Sequence, residues 1–163
     1  MATVFISLGS NIDRQAKTRE GIKALRARYG DLRLSSVYES EAVGFDGDSF
    51  YNMVIVLNTD DDVHVVASAL RKIEDEYGRD RNNPKFSSRT LDLDLLLYDD
   101  VIVDEQALQI PRDEILKRAF VLWPLAEVAP DLKHPVEKKS YATLWMEFDK
   151  SKEKLRPILF DFD

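Results

Sequence analysis

Apolar positions change period several times along the chain, and each change marks an element. Residues 3–8 (Thr-Val-Phe-Ile-Ser-Leu) form a β-branched and apolar run that stops at Gly9, which predicts a buried strand. Ser10, Asn11 and Asp13 are candidate caps for a helix whose stripe is Ile22, Leu25 and Tyr29 and whose stop is Gly30. Residues 32–38 predict a second strand, 40–49 a loop containing Gly44 and Gly47, and 50–57 the clearest strand of the chain. Asp60, Asp61 and Asp62 suit the start of a helix, whose face is Val66, Leu70, Ile73 and Tyr77 and whose cap is Gly78. A polar segment at 79–88 with Pro84 and paired asparagines reads as irregular. Residues 90–97 alternate as a strand, with a short strand expected at 101–103. Beyond Pro111 short helices mix with loops, and the segment 150–163 has no assigned role. The order β-α-β-β-α-β predicts an α+β domain with a ferredoxin-like βαββαβ core, its helices packed on a mainly antiparallel sheet. Residues 1–163 are expected to form one domain, with no repeat or linker.

Composition narrows the class. At 44% hydrophobic and 33% charged residues the chain is globular in character. No stretch reaches the roughly 18 apolar residues of a membrane helix. The amino terminus lacks a basic region and cleavage site, so a soluble, cytoplasmic protein is expected. Cysteine is absent and only His64 and His134 are present, which excludes a thiolate or histidine-rich metal site and leaves oxygen ligands. A net charge of −7 disfavours general nucleic-acid binding. The expected partners are small molecules, with neither nucleic acid nor membrane, and the expected state is a monomer.

Asp92 and Asp94 carry the sharpest chemical signal. Two apart on a strand, their side chains share a face, with Cα atoms roughly 6–7 Å apart. Aspartate is a poor strand former and like charges on one face repel, unless a divalent cation turns repulsion into attraction. The alternative is a strand whose solvent side is acidic. Just upstream, Arg79, Arg81, Lys85 and Arg89 concentrate positive charge in one short segment. Carboxylates that hold magnesium beside guanidinium groups that fork onto phosphate are the parts phosphoryl transfer uses. The alternative for these cations is solvation and pairing with Asp80, Glu74 or Asp75.

Phe50 and Asn52 share a strand face. Asn52 both donates and accepts, so it can pair with the amide-like edge of a heteroaromatic ring, while Phe50 covers the ring's flat face. A core role for Phe50 is the alternative. No Walker-type loop occurs, and a serine–histidine–aspartate hydrolase is disfavoured, since His64 sits in a helix amid valines and His134 precedes Pro135 in a loop.

These residues together resemble a known family. Arg89-Thr90-Leu91-Asp92-Leu93-Asp94-Leu95-Leu96 is similar to the signature of the 6-hydroxymethyl-7,8-dihydropterin pyrophosphokinases. Leu8-Gly9-Ser10-Asn11, the Asn52 strand, Gly78-Arg79 and Arg118-Ala119-Phe120-Val121-Leu122-Trp123-Pro124-Leu125 match in order and spacing. The resemblance implies ATP-dependent transfer of pyrophosphate to the hydroxymethyl group of the pterin, releasing AMP, in folate synthesis. It implies that Asp92 and Asp94 hold two magnesium ions against ATP, with Arg79 and Arg89 catalytic and Asp94 also assisting loss of the hydroxyl proton. It places Ser40, Val43, Gly44, Phe50, Asn52 and Phe120 around the pterin. Glu74, Arg81, Phe86, Leu95, Arg112 and Arg118 fall at ATP.

The chain departs from the family pattern where Ser87-Ser88 replaces glycine-proline. Arg112 stands for a histidine, Phe86 for a tryptophan and Phe50 for a tyrosine, and Ala107 lies where some members have arginine. None of these removes a metal ligand. The departures keep one alternative open, a non-catalytic paralogue that binds pterin or nucleotide and serves another folate enzyme. A ferredoxin-like RNA-binding module is the other rival, and the net acidity disfavours it.

Overall fold

The computed structural model describes residues 1–40, 49–77 and 91–162. Val43, Gly44, Gly78, Arg79, Arg81, Phe86, Ser87, Ser88 and Arg89 lie outside the described residues, as does Thr90 at the start of the strand expected over 90–97.

Strand β1 (Ala2–Ser10) leads into α1 (Arg14–Tyr29), followed by β2 (Arg33–Leu34), β3 (Val37–Ser40), β4 (Phe50–Thr59), α2 (Val63–Tyr77) and β5 (Asp92–Tyr98). The main sheet runs β5-β1-β4-β3-β8 with β2 also on β4, every pairing antiparallel. Taking β2 and β3 as one interrupted strand, this is the split βαβ order of the ferredoxin-like core. The α+β expectation therefore holds. The added strand β8 (Leu155–Ile158) comes from the segment whose role was unassigned. A hairpin of β6 (Val103–Glu105) and β7 (Leu108–Ile110) stands apart, and helices α3 (Glu114–Lys117), α4 (Ala119–Val128) and α5 (Tyr141–Glu147) complete the chain.

The sheet has two differently covered faces. Val4, Ile6, Leu8, Met53, Ile55, Leu57, Leu93 and Leu95 cluster with Ile22 and Leu25 of α1 and Val66, Leu70 and Ile73 of α2. The alternate residues Phe5, Val54 and Val56 cluster instead with Val121, Leu122 and Leu125 of α4 and with Tyr141 of α5. Gly21 lets α1 approach, because a Cβ there would lie 3.0 Å from Leu8 and 3.2 Å from Leu91.

Several boundaries differ from the sequence reading, each for a local reason. The strand expected over 32–38 is split because Ser35 replaces one rung of the ladder with its side chain. Its hydroxyl accepts from the Val54 N–H at 2.9 Å while its own N–H donates to the Val54 carbonyl. Ser36 then turns to the Glu127 carboxylate. Asp13 occupies the N-cap of α1 but has φ 49° and makes no side-chain cap hydrogen bond. Gly30 ends α1 as expected, at φ 80°, donating to Arg26. Asp62 accepts from the His64 N–H at 2.8 Å and so satisfies the open end of α2. The short strand expected at 101–103 begins at Val103, after a turn with Asp99 at φ 50°. No helix among the described residues is long and apolar enough to cross a membrane.

Candidate functional site

Register across the sheet assembles the site. On the face that α4 covers, Asp92 lies opposite Gly9, Gly9 opposite Asn52, and Asn52 opposite Tyr38. One row further, Asp94 faces Ser7 and Ser7 faces Val54. Because side chains alternate, the two carboxylates and Asn52 share one face, whereas Leu93 and Leu95 enter the core beneath α1 and α2. Leu93 and Leu95 are buried; Asp92 and Asp94 are half-buried. The expectation from spacing is met at this level.

Gly9 is the close-approach position of the row. A Cβ on it would lie 3.1 Å from the Asn52 amide oxygen, tighter than most real contacts, so a larger residue would displace the amide. Asn52 is buried and donates to the Ser40 hydroxyl at 2.9 Å. That bond fixes the amide's orientation and ties Asn52 to Ser40, both expected at the pterin. Tyr38, at the end of the row, donates to Glu127 at 2.6 Å and packs its ring on Trp123 of α4, centroids 4.8 Å apart. Burial, reinforced by the Glu127 charge, raises the Tyr38 pKa and keeps the phenol neutral. Phe50 is half-buried two residues before Asn52 on the same face, and Phe120 is half-buried in the first turn of α4.

Arg112 supplies positive charge beside the carboxylates. Its Nε donates to Glu114 at 2.7 Å and its guanidinium lies 3.6 Å from an Asp94 oxygen. Burial works against that charge, yet Asp94, Glu114 and Asp92 together hold its pKa above the ordinary arginine value. Its N–H also donates to the Leu96 carbonyl, which fixes the segment after β7 against β5. Arg118 is half-buried at the N-cap of α4.

Two expected nucleotide residues sit differently. Glu74 is buried at 4% exposure, and its carboxylate accepts from the Leu93 N–H at 2.8 Å. It thereby anchors the strand between the two aspartates. The Leu95 side chain belongs to the α1/α2 core, so any contact it makes on the aspartate face comes from its backbone. Ser7, Gly9 and Tyr38 belong to the site face but were not singled out as site residues. Alternation on β1, where serine and glycine interrupt an apolar strand on one parity, was the available signal.

The histidines are elsewhere. His64 is exposed and pairs with Asp62 and Glu105 at 3.1 and 3.0 Å. His134 is buried, and its Nδ1 accepts from the Val136 and Glu137 N–H groups, which makes it a turn-forming group held neutral by burial. Among the described residues no group of three or more histidine, cysteine or acidic side chains gathers for a metal. The donor set that remains, two half-buried carboxylates on one face, is oxygen-only. It fits a magnesium ion that draws its other ligands from phosphate and water.

Residues 5–130 match the model of the 7,8-dihydro-6-hydroxymethylpterin-pyrophosphokinase (HPPK) family. The chain is 35% identical over 141 residues to the 2-amino-4-hydroxy-6-hydroxymethyldihydropteridine pyrophosphokinase of Aquifex aeolicus, covering 85% of this chain and 88% of that protein. It is 40% identical over 139 residues to the enzyme of the same name from Pseudomonas aeruginosa, covering 81% and 83%. Among solved structures, an HPPK-DHPS protein in complex with substrates aligns with a TM-score of 0.71 at 12% identity, over 90% of this chain and 43% of that one. A Plasmodium falciparum HPPK-DHPS triple mutant aligns at 0.70 and 14%, over 90% and 44%. At such identities the structural likeness speaks to the fold alone.

Proposed function

Since the chain belongs to the 7,8-dihydro-6-hydroxymethylpterin-pyrophosphokinase family and is thus a diphosphotransferase of folate biosynthesis, we propose that it transfers pyrophosphate from ATP to 6-hydroxymethyl-7,8-dihydropterin, releasing AMP. The observation that carries the reading is the pair Asp92 and Asp94. They stand half-buried on the face opposite the leucine core, Asp92 in register with Gly9 and Asn52 and Asp94 in register with Ser7.

In this reading Asp92 and Asp94 hold magnesium. A divalent ion held by these two carboxylates would supply charge neutralisation for the triphosphate and Lewis-acid polarisation of a phosphoryl oxygen. The chain's own groups do the rest. Asn52, oriented by Ser40, reads the pterin's amide-like edge. Phe50 and Phe120 cover its faces, and Val43 and Gly44 complete its surroundings. Arg112 and Arg118 add fixed positive charge toward the phosphates, with Arg79, Arg81 and Arg89 contributed by the segment between α2 and β5. Glu74 acts from beneath, through the Leu93 N–H. Phe86 and the Leu95 backbone bound the nucleotide.

The hydroxymethyl oxygen bonds to the β-phosphorus as the bond from that phosphorus to the bridging oxygen of AMP breaks. The hydroxyl proton passes to Asp94 or to solvent. Little covalent help is required, so positioning and charge neutralisation dominate. A coupled assay for AMP with the dihydropterin, ATP and magnesium tests this directly. AMP formation that depends on both substrates, and that Asp92→Ala abolishes without unfolding the protein, is the expected result. Pterin binding with no AMP would instead establish the non-catalytic paralogue.

A further inference from the structure

The family match ends at residue 130, yet the later segment touches both walls of the site. Strand β8 pairs with β3 along its whole length, placing Leu155 beside Ser40, Arg156 beside Glu39 and Pro157 beside Tyr38. Ser40 in turn lies opposite Phe50, so Leu155, Ser40 and Phe50 form one row on the face that carries Asn52. Just before β8, the Glu153 carboxylate accepts from the Ala119 N–H at 3.2 Å, at the open end of α4. Phe120 is the next residue of that helix. A carboxylate there meets unsatisfied N–H groups and the positive end of the helix dipole.

The other parity of β8 is fastened from below. Arg156 donates to one oxygen of Glu39 at 2.6 Å, and Arg14 from the start of α1 lies 3.0 Å from the other. Hydrogen bonding from Arg156, with the Arg14 charge behind it, holds the Glu39 pKa below the usual carboxylate range. Arg14 also donates to the Ser49 carbonyl at 2.8 Å and lies over the Tyr51 ring, 4.1 Å from its centroid. Phe160 meets the same Tyr51 edge-on, and Arg19 of α1 donates to the Asp161 carbonyl at 2.7 Å. One continuous stretch thus ties α4, β3, β4 and the first half of α1.

We propose that residues 153–156 are a brace that positions both sides of the pterin pocket. Glu153 holds the first turn of α4 under Phe120, Leu155 extends the Ser40–Phe50 row, and Arg156 locks that row through Glu39 and Arg14. The proposal rests on the pterin reading above, and these are positioning residues, since they act through Phe120, Ser40 and Phe50.

The geometry separates this role from a general structural one. Glu153 also faces the Arg118 charge, which opposes the upward push of burial on its pKa. Removing the carboxylate therefore loosens Phe120 through the lost Ala119 bond while taking a negative charge away from Arg118, so pterin and nucleotide affinity move apart.

The test is calorimetric binding in the full chain with magnesium, using 6-hydroxymethylpterin in the presence of a saturating α,β-methylene ATP, and the ATP analogue alone. Glu153→Ala should weaken pterin binding about tenfold, the loss of a charge-assisted hydrogen bond, while the ATP analogue binds no more weakly. Glu153→Gln keeps an acceptor for the Ala119 N–H and should stay within about threefold of the wild type, a gap of under 1 kcal/mol. Arg156→Ala should weaken pterin by about threefold to fivefold, with Arg156→Lys recovering part of it. Unchanged pterin affinity in Glu153→Ala and Arg156→Ala overturns the brace, as does an equal weakening of both ligands. A wild-type protein that binds the ATP analogue but no pterin removes the pterin reading itself, and the brace with it.

Discussion

Leu93 and Asp94 are consecutive residues of one strand, yet they serve opposite faces of the sheet under opposite rules. Leu93, at 4% exposure, sits in the layer sealed by α1 and α2, where removing atoms leaves a cavity. Asp94 is half-buried beside Arg112, where charge and access matter more than volume. The sealed face holds the fold together, and the other face, which α4 and α5 cover in part, leaves both aspartates half-exposed. Glu74 joins the two, a buried carboxylate that reaches the Leu93 N–H and so fixes the strand on which both aspartates stand.

The comparison breaks most visibly on the open face. Asp94→Ala should lower kcat by about a thousandfold or more, roughly 4 kcal/mol of transition-state stabilisation. Its melting temperature should stay close to that of the wild type. Steady-state kinetics beside a thermal melt checks both halves. Leu93→Ala should invert the pattern. A loss of about 2–5 kcal/mol of stability is expected in chemical denaturation, with turnover per folded molecule largely kept. If Leu93→Ala were stable and inactive, the division of labour between the faces would fail.

Gly9→Ala sharpens the comparison within the open face. The new Cβ presses the Asn52 amide, so KM for the pterin should rise several-fold while KM for ATP changes little. Smallest of all is the effect of the exposed pair at the start of α2. Hydrogen bonds from His64 to Glu105, then Asp62, raise the His64 pKa in the folded state. The pairing therefore helps fully below the ordinary histidine pKa of about 6.5, and that help is lost as pH rises through the higher folded value. His64→Gln should flatten this slight slope of melting temperature against pH without altering activity, because the pair belongs to neither face of the site.

Much of this architecture was legible from periodicity. The β5 alternation separated Asp92 and Asp94 from Leu93 and Leu95, and the stripe Val66, Leu70 and Ile73 gave α2 its buried face. Glu74 and Leu95, set at the nucleotide by resemblance alone, prove to be buried on the core side of α2 and β5. What periodicity could not carry were the long-range substitutions of one hydrogen bond for another. Ser35 interrupts a strand because it finds Val54, and residues 155–158 become a strand only because the edge of β3 is open beside them. A short segment with Pro157 inside has little strand signal of its own, and proline is tolerated there because the strand lies at the sheet edge. The row from Asp92 to Tyr38 likewise needs the register of four strands, which no single stretch of sequence contains.

The central claim is that the open-face aspartates bring a divalent ion to the phosphates of a nucleotide. Manganese binding followed by electron paramagnetic resonance, with and without α,β-methylene ATP, tests it without turnover. Wild-type protein should bind manganese more tightly when the nucleotide is present, and both Asp92→Asn and Asp94→Asn should largely lose that gain while keeping their melting temperatures. Equal nucleotide-dependent binding in the wild type and both variants would contradict the account.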